Sequence, residues 1–362
     1  IRYGVARISR TSMSEEGLSV TTDDWTPIKA KGELHFNPLH EINPHILVTG
    51  ITGAGKGVTI MNILTQLTKQ SYPITILDYN GEYASKAEPL GAGVFDIARQ
   101  GLNPFTPVAG EDSVECANDM ITAINIFSHV EEWKLGSNQQ EWLNEAAEKY
   151  GAETTVEKAI KYLKLRRENE THQRLYETMT GLIGKLNLLQ AGFVKQTSLS
   201  VKDVLNGSAV VDFSKISNLM VRTIAVELFL VKLRRFIESK GVLPASVKVN
   251  RFLVVGEAHR IAERDSSLDV LMRETRKYGL GCVVLSQFAT DFDEAIRGNP
   301  ALQLYLLSFS EKDIDAIVNV TGCSILPQIM PNLTVDPTNK VFEAVVLKAG
   351  RNTIDRLRKT SL

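Results

Sequence analysis

Between His45 and Val58 the chain reads His-Ile-Leu-Val-Thr-Gly-Ile-Thr-Gly-Ala-Gly-Lys-Gly-Val, and this stretch constrains the fold more than any other. A short β-rich apolar run ends in a glycine-rich turn. A helical pattern through Val58, Ile60, Ile63 and Leu64 follows at once. Within the turn, Gly50 and the Gly55-Lys56 pair have the spacing Gly-x-x-x-x-Gly-Lys. Glycines let consecutive backbone N–H groups face one anion. The following helix adds the positive end of its dipole, and Lys56 supplies a point charge for β- and γ-phosphates. Gly50, Thr52, Gly53, Ala54, Gly55, Lys56, Gly57 and Val58 are therefore the expected cradle for the phosphates of a nucleotide.

Strand and helix signals alternate through much of the remainder, which predicts an α/β fold with a mainly parallel sheet. Ile74 to Leu77 reads as a second buried strand closed by Asp78. Ala209 to Phe213, Phe252 to Val255, Cys282 to Leu285, Leu302 to Leu307 and, last, Val341 to Leu347 read as further strands, and Val221 to Ile237 as a long apolar helix. Residues 112–200 differ: Glu, Lys, Leu, Ala and Gln recur with helical periodicity. The expected organisation is an N-terminal flanking segment (1–42), a core (43–111 and 201–350), a helical insertion (112–200) and a basic tail (351–362).

A dinucleotide-binding loop competes with the phosphate loop, because Asp78 ends the next strand about twenty residues on, as a ribose-binding acid would. That fingerprint needs a third glycine where Val58 stands, and it leaves Lys56 unexplained.

Arg251-Phe-Leu-Val-Val-Gly-Glu-Ala-His-Arg reads as a buried strand ending in polar residues. Four apolar residues, an acid and a glutamate make the pattern known as Walker B. Glu257 stands where the glutamate that polarises an attacking water belongs. The alternative is an ordinary solvated strand end. Downstream, a helix ends at Gly279, a strand runs through Val284, and Ser286-Gln287 close it. Gln287 is expected on the same sheet edge as the phosphate loop, where its amide would sense the γ-phosphate or the attacking water. The alternative is a capping glutamine.

In order, these pieces resemble the HerA/FtsK superfamily, which includes the ATPases of conjugative type IV secretion, and in particular its archaeal HerA-like proteins. The likeness extends to Leu77-Asp78-Tyr79-Asn80-Gly81-Glu82-Tyr83, Leu102-Asn103-Pro104-Phe105, Glu257-Ala258-His259, Arg276-Lys277-Tyr278-Gly279-Leu280-Gly281 and Ser286-Gln287. It implies a RecA-like P-loop NTPase core carrying an all-helical subdomain, with ATP and Mg2+ as cofactors. It also implies a homo-oligomer, usually a hexameric ring, that pulls DNA through its pore in DNA transfer, end processing or packaging. A membrane channel or a nuclease would be its partner. A neighbouring subunit would donate an arginine to the transferring phosphate. Arg276 is the leading candidate, with Arg273 and Arg297 behind it; the alternative for each is a solvated surface arginine.

Two departures fall on one chemical group. The family has Ser or Thr at position 57, whose hydroxyl binds Mg2+, and Asp at position 256, which holds the metal's water shell. Here they are Gly57 and Gly256. Thr59 stands too far along the helix to replace the hydroxyl. Nucleotide binding is expected to survive, with hydrolysis slow or absent. A non-hydrolysing nucleotide-binding scaffold subunit is therefore the second functional expectation.

Hydrophobic residues make up 43% and charged residues 23% of the chain, an ordinary globular mix. The net charge of −1 shows no basic excess, so DNA contact would rest on local clusters. The candidates are Lys161, Lys164, Arg166 and Arg167, and Arg351, Arg356, Arg358 and Lys359, each weighed against an ordinary solvated face. The three cysteines (Cys116, Cys282, Cys323) lack metal-ligand spacing and the six histidines form no cluster. No metal site is expected from them, and a reducing cytoplasm fits, with a place at the cytoplasmic face of a membrane as the variant. No apolar run reaches the ~18 residues of a membrane span. Because the first residue is Ile1, the chain is expected to be part of a longer protein.

Overall fold

The computed structural model describes residues 4–10, 25–28, 36–39, 41, 43–127, 133–195, 199–244, 249–262, 266–338, 341–348 and 353–359. It divides into two compact units. One comprises Ile1–Ile74, Leu243–Arg264 and Asp269–Leu362; the other comprises Thr75–Val242 and Asp265–Leu268. The strands are β1 (Gly4–Arg10), β2 (Trp25–Ile28), β3 (Ile46–Thr49), β4 (Ile74–Asp78), β5 (Ala92–Asp96), β6 (Ser208–Asp212), β7 (Arg251–Val255), β8 (Leu280–Ser286), β9 (Leu302–Tyr305), β10 (Val335–Asp336), β11 (Val341–Lys348) and β12 (Thr353–Lys359).

In the first unit the strand order is β2-β1-β12-β11-β9-β3-β8-β7. The four strands β9, β3, β8 and β7 run parallel, with Thr49 level with both Ser286 and Tyr305. Every residue of β3 and β8 is buried. Burial on both faces explains why these strands read as continuous apolar runs rather than alternating ones. Each fully buried Ile, Leu or Val contributes about 1.5–3 kcal/mol, so the sheet centre is a stable support for a loop. Helix α1 (Lys56–Lys69) follows β3 and buries Thr59, Ile60, Ile63, Leu64 and Leu67. Val58, which the sequence pattern placed on that face, instead stands 40% exposed.

The antiparallel side of the sheet extends further than the sequence suggested. The stretch expected to be a basic tail contains β12, which pairs with β11 and β1. Val341–Lys348 is therefore not the last strand. The run Thr-Ile-Asp-Arg-Leu-Arg-Lys lacks period-two alternation, so its backbone pairing left no mark in the sequence.

In the second unit β4, β6 and β5 are parallel neighbours, with Asp78, Asp212 and Asp96 level at their carboxyl ends. Helices α2 (Ile97–Gln100), α3 (Ser113–Ile124), α4 (Ser137–Tyr150), α5 (Val156–Glu168), α6 (Gln173–Gly192), α7 (Val201–Leu205) and α8 (Leu219–Ser239) complete it. Helix α3 and the loop before it are tied to α8 by charged side chains. Arg235 Nε lies 2.7 Å from Asp119 Oδ2, and Lys232 Nζ donates to Thr106 O at 2.7 Å. Burial lowers the pKa of Lys232, and the acids around it oppose that. All three cysteines are buried and unpaired. No helix among the described residues is long and apolar enough to cross a membrane.

Candidate functional site

The glycine-rich turn folds back on itself at the carboxyl edge of β3. The Ala54 amide donates to Ile51 O at 3.1 Å, and Thr59 N donates to Gly55 O at 2.9 Å, which starts α1. Two bonds anchor the turn to neighbouring strand ends: Gly50 N to Gln287 O at 3.2 Å, and Ile51 N to Leu307 O at 3.0 Å. Gly50 has no room for a side chain, since a β-carbon there would stand 2.7 Å from Leu306 Cβ. The Lys56 ammonium turns inward, donating to Gly50 O at 2.5 Å and Ile51 O at 3.1 Å. The cap residue Gly55 offers no side-chain acceptor, and the first turn of α1 carries no acid. The helix therefore presents its positive dipole end beside the ammonium. Thr52 and Gly53 are exposed, Ala54 is buried, and Gly55 and Gly57 are half-exposed. The turn thus forms a cup around the Lys56 ammonium.

The same region offers a divalent ion little. Residue 57 brings no hydroxyl and residue 256 no carboxylate. Thr59 is buried on the core face of α1. Ser286 spends its hydroxyl on Asp291. Among the described residues no group of three His, Cys, Asp or Glu side chains could hold a metal. The side chains present therefore do not fit Mg2+ at the two positions where protein ligands are expected.

The next strands bring polar groups to the same edge. Just beyond β7, Glu257 adopts φ 55°, ψ 43°, the left-handed region. For a non-glycine residue this costs on the order of 1–3 kcal/mol. Its Oε2 lies 3.5 Å from His259 Nδ1, and His259 Nδ1 lies 3.4 Å from Ser286 Oγ. Gln287 follows β8, half-exposed, its carbonyl committed to Gly50. The segment after it is held by Asp313, which accepts from Ala289 N at 2.5 Å, Thr290 N at 3.2 Å and Ser308 Oγ at 3.0 Å. Burial pushes the Asp313 carboxyl above its ordinary pKa, and these hydrogen bonds oppose it. Since β8 lies between β3 and β7, Glu257 stands about 10 Å of sheet away from the loop strand. Sequence reasoning assigns no catalytic or binding role to His259, Ser286, Asp291 or Asp313. They converge from separate segments, and no spacing advertises them.

Arg276 is not brought to this edge. It lies in the turn before Leu280, at the amino end of β8, and is exposed. The seven residues of β8 span about 20 Å, so Arg276 and Lys56 occupy opposite edges of one sheet. At that far edge, burial lowers the pKa of His45 to about 4, and the charge of Arg276 adds to the effect. His45 Nδ1 accepts from Cys282 N at 2.9 Å. Arg273 is held by Asp269 at 2.7 Å and Asp293 at 3.2 Å, and Arg297 is half-buried.

The competing reading of Asp78 as a ribose ligand does not fit. Its two carboxylate oxygens accept four amides of the following loop: Gly81 and Glu82 at 2.8 and 2.9 Å, Tyr83 and Ala84 at 2.8 and 3.0 Å. Of the basic cluster on α5, Arg166 is engaged by Glu145 and Arg167 lies over the Tyr176 ring, while Lys161 and Lys164 are exposed. The side chains of Arg351, Arg356, Arg358 and Lys359 lie outside the described residues.

Comparison with known proteins agrees with this architecture. The chain is 23% identical over 294 residues to the DNA double-strand break repair helicase HerA of Sulfolobus acidocaldarius, covering 73% of this chain and 54% of that protein. It thus spans about half the length of that curated relative. The fold is similar to VirB4 of Thermoanaerobacter pseudethanolicus, with TM-score 0.68 and 17% identity over 92% of this chain and 94% of that one. It is similar also to the plasmid coupling protein TrwB in complex with the non-hydrolysable ATP analogue ADPNP, with TM-score 0.64 and 15% identity over 90% and 86%. These likenesses show a RecA-like P-loop ATPase fold. Residues 34–232, more than half of the chain, match the family described as helicase HerA, central domain, and the chain belongs to that family.

Proposed function

We propose that this chain is the motor part of an ATP-driven DNA translocase, with the phosphates of ATP held on Gly50, Thr52, Gly53, Ala54, Gly55, Lys56, Gly57 and Val58. The observation that carries the reading is the Lys56 ammonium turned into the glycine-rich loop, against Gly50 O and Ile51 O, at the positive end of α1. An arriving phosphate replaces the neutral carbonyl acceptors of Lys56 with anionic oxygens, adding charge–charge attraction. Glu257 polarises the attacking water, and Gln287, bonded to the loop through its carbonyl, reports on the γ-phosphate. Arg276 acts on the site of a neighbouring subunit, because about 20 Å of sheet separates it from its own loop. That placement supports a homo-oligomeric ring, a hexamer by family habit, with DNA in its pore. It would work in the cytoplasm or at the cytoplasmic face of a membrane, with a channel or a nuclease as partner.

Gly57 and Gly256 favour a second reading, a nucleotide-binding scaffold subunit that turns over slowly. At Gly57 a β-carbon would meet nothing within 4 Å, so the helix accepts serine there without adjustment. Steady-state ATP hydrolysis with Mg2+ separates the readings. The chain is expected to turn over slowly and the Gly57→Ser/Gly256→Asp double variant much faster. Equal, fast turnover in both would remove the scaffold reading, and no ATP binding by either would remove both.

A further inference from the structure

We infer that Phe309 is a stacking platform for the base of the bound nucleotide, an inference that rests on the phosphate-loop reading and extends it. Phe309 is 62% exposed, in the segment between β9 and α11 (Glu311–Thr321; α9, Ser267–Glu274, and α10, Glu294–Gly298, precede it). This segment runs beside the phosphate loop and is joined to it and to the strand before it. Leu306 N donates to Thr49 O at 2.8 Å, and Ile51 N donates to Leu307 O at 3.0 Å. The ring thus stands two residues from a direct backbone contact with the cup.

The backbone presenting the ring is fixed. Ser308 is buried and its hydroxyl donates to Asp313 Oδ2 at 3.0 Å; Ser310 caps α11 by accepting from Asp313 N at 3.3 Å. Both neighbours of Phe309 are therefore tied to one residue, while the ring between them faces outward. The same Asp313 holds the segment after Gln287. Half-exposed Leu307 and the 40% exposed Val58 on the first turn of α1 add apolar surface at this edge. A base is flat, uncharged and apolar on its faces, and a ring with two side-chain torsions on a tied backbone loses little conformational entropy on stacking. Stacking tolerates any base and grows with ring area, so ATP and GTP are expected to bind alike, and CTP more weakly.

The test measures binding to the full chain by calorimetry, with ATP and inorganic tripolyphosphate as probes. Phe309→Ala is expected to weaken ATP roughly ten-fold or more, the effect of removing one stacked aromatic, and to leave tripolyphosphate binding unchanged. Phe309→Trp is expected to keep ATP affinity and to lose fluorescence on adding ATP but not tripolyphosphate. Unchanged ATP affinity in Phe309→Ala overturns the inference alone. So does an equal loss for both probes, which would make the ring a support of the loop. So does a loss of self-association with ATP affinity intact, which would assign the ring to contact between copies. If the unsubstituted chain binds neither probe, the phosphate-loop reading falls and this inference with it.

Discussion

The ring of Phe342 fills the space beside the α-carbon of Gly55: a β-carbon there would stand 2.2 Å from Cδ1 of that ring. Gly55 also holds φ 92°, where a side chain is strained. Gly55→Ala is therefore expected to cost more than about 3 kcal/mol, combining overpacking with backbone strain, and to abolish ATP binding. Adding Phe342→Ala removes the collision but keeps the dihedral and opens a cavity. The double variant should regain less than half of the lost stability. Thermal denaturation and calorimetric titration check this. A Gly55→Ala chain that melts and binds like its parent would show that the ring moves aside freely.

Glu257 is held in a left-handed backbone that its side chain makes costly. Glycine relieves that strain while raising the entropy of the unfolded chain. Glu257→Gly should therefore leave stability unchanged or raise it by up to about 1 kcal/mol, although it removes a side chain. In the Gly57→Ser/Gly256→Asp background the same substitution should lower turnover by about a hundred-fold or more, the usual range for a lost general base, with ATP affinity kept. A clear drop in melting temperature would mean that the carboxylate supports the fold through His259. Unchanged turnover would remove it from the chemistry.

Sequence signals for this site differ in kind. The strand, glycine-rich turn and helix around Gly50 to Lys56 were legible because they are contiguous in the chain. Glu257 and Gln287 were legible as ends of buried strands, since β7 and β8 are apolar throughout. The placing of Arg276 followed from Gly279, which ends its turn with φ 79°. What stayed hidden depends on long-range register. Phe342 reaches Gly55 because β11 pairs with β9, and no local pattern encodes that. Strand β5 reads Ala-Gly-Val-Phe-Asp, too short and glycine-interrupted to stand out, and β12 carries too many charges. Val58 fitted the helical period, yet it opens the helix at the sheet edge, where its face looks outward.

Arg276 cannot serve its own loop, so its effect should appear only between subunits. In the Gly57→Ser/Gly256→Asp background, Arg276→Ala should leave ATP affinity within about two-fold, because an exposed arginine at the far edge touches no nucleotide. It should still lower turnover by about 10³-fold, the scale of a lost arginine finger. Mixing Arg276→Ala chains with Glu257→Gln chains should restore part of the activity, since some mixed contacts pair an intact Glu257 with an intact Arg276. Mixtures no more active than the separate variants would place both residues in one subunit's site or leave Arg276 without a role. Arg273, already held by Asp269 and Asp293, is expected to affect stability rather than turnover.

His45 gives the fold an acid limit that can be located. Burial lowers its pKa from 6.5 to about 4, so on acidification the unfolded chain takes up this proton before the folded one does. The stability this linkage contributes is complete above pH 6.5 and is lost as pH falls from 6.5 towards 4. A shift of this size corresponds to about 3 kcal/mol. Other groups titrate nearby with opposite signs. The lowered carboxyls of Asp96 and Glu111 lose stability at lower pH, and the raised carboxyls of Asp119 and Asp313 do the reverse. The comparison must therefore be a difference between two chains. His45→Asn keeps an acceptor for the Cys282 amide and removes the titrating ring, at an expected cost of about 1–2 kcal/mol at pH 7 from lost packing. Its stability should then approach the parent's, and reach or pass it, as pH falls from 6.5 to 4. Urea unfolding at half-unit pH steps measures the gap. A gap that stays constant across the window would mean that His45 titrates in the folded chain as it does in the unfolded one.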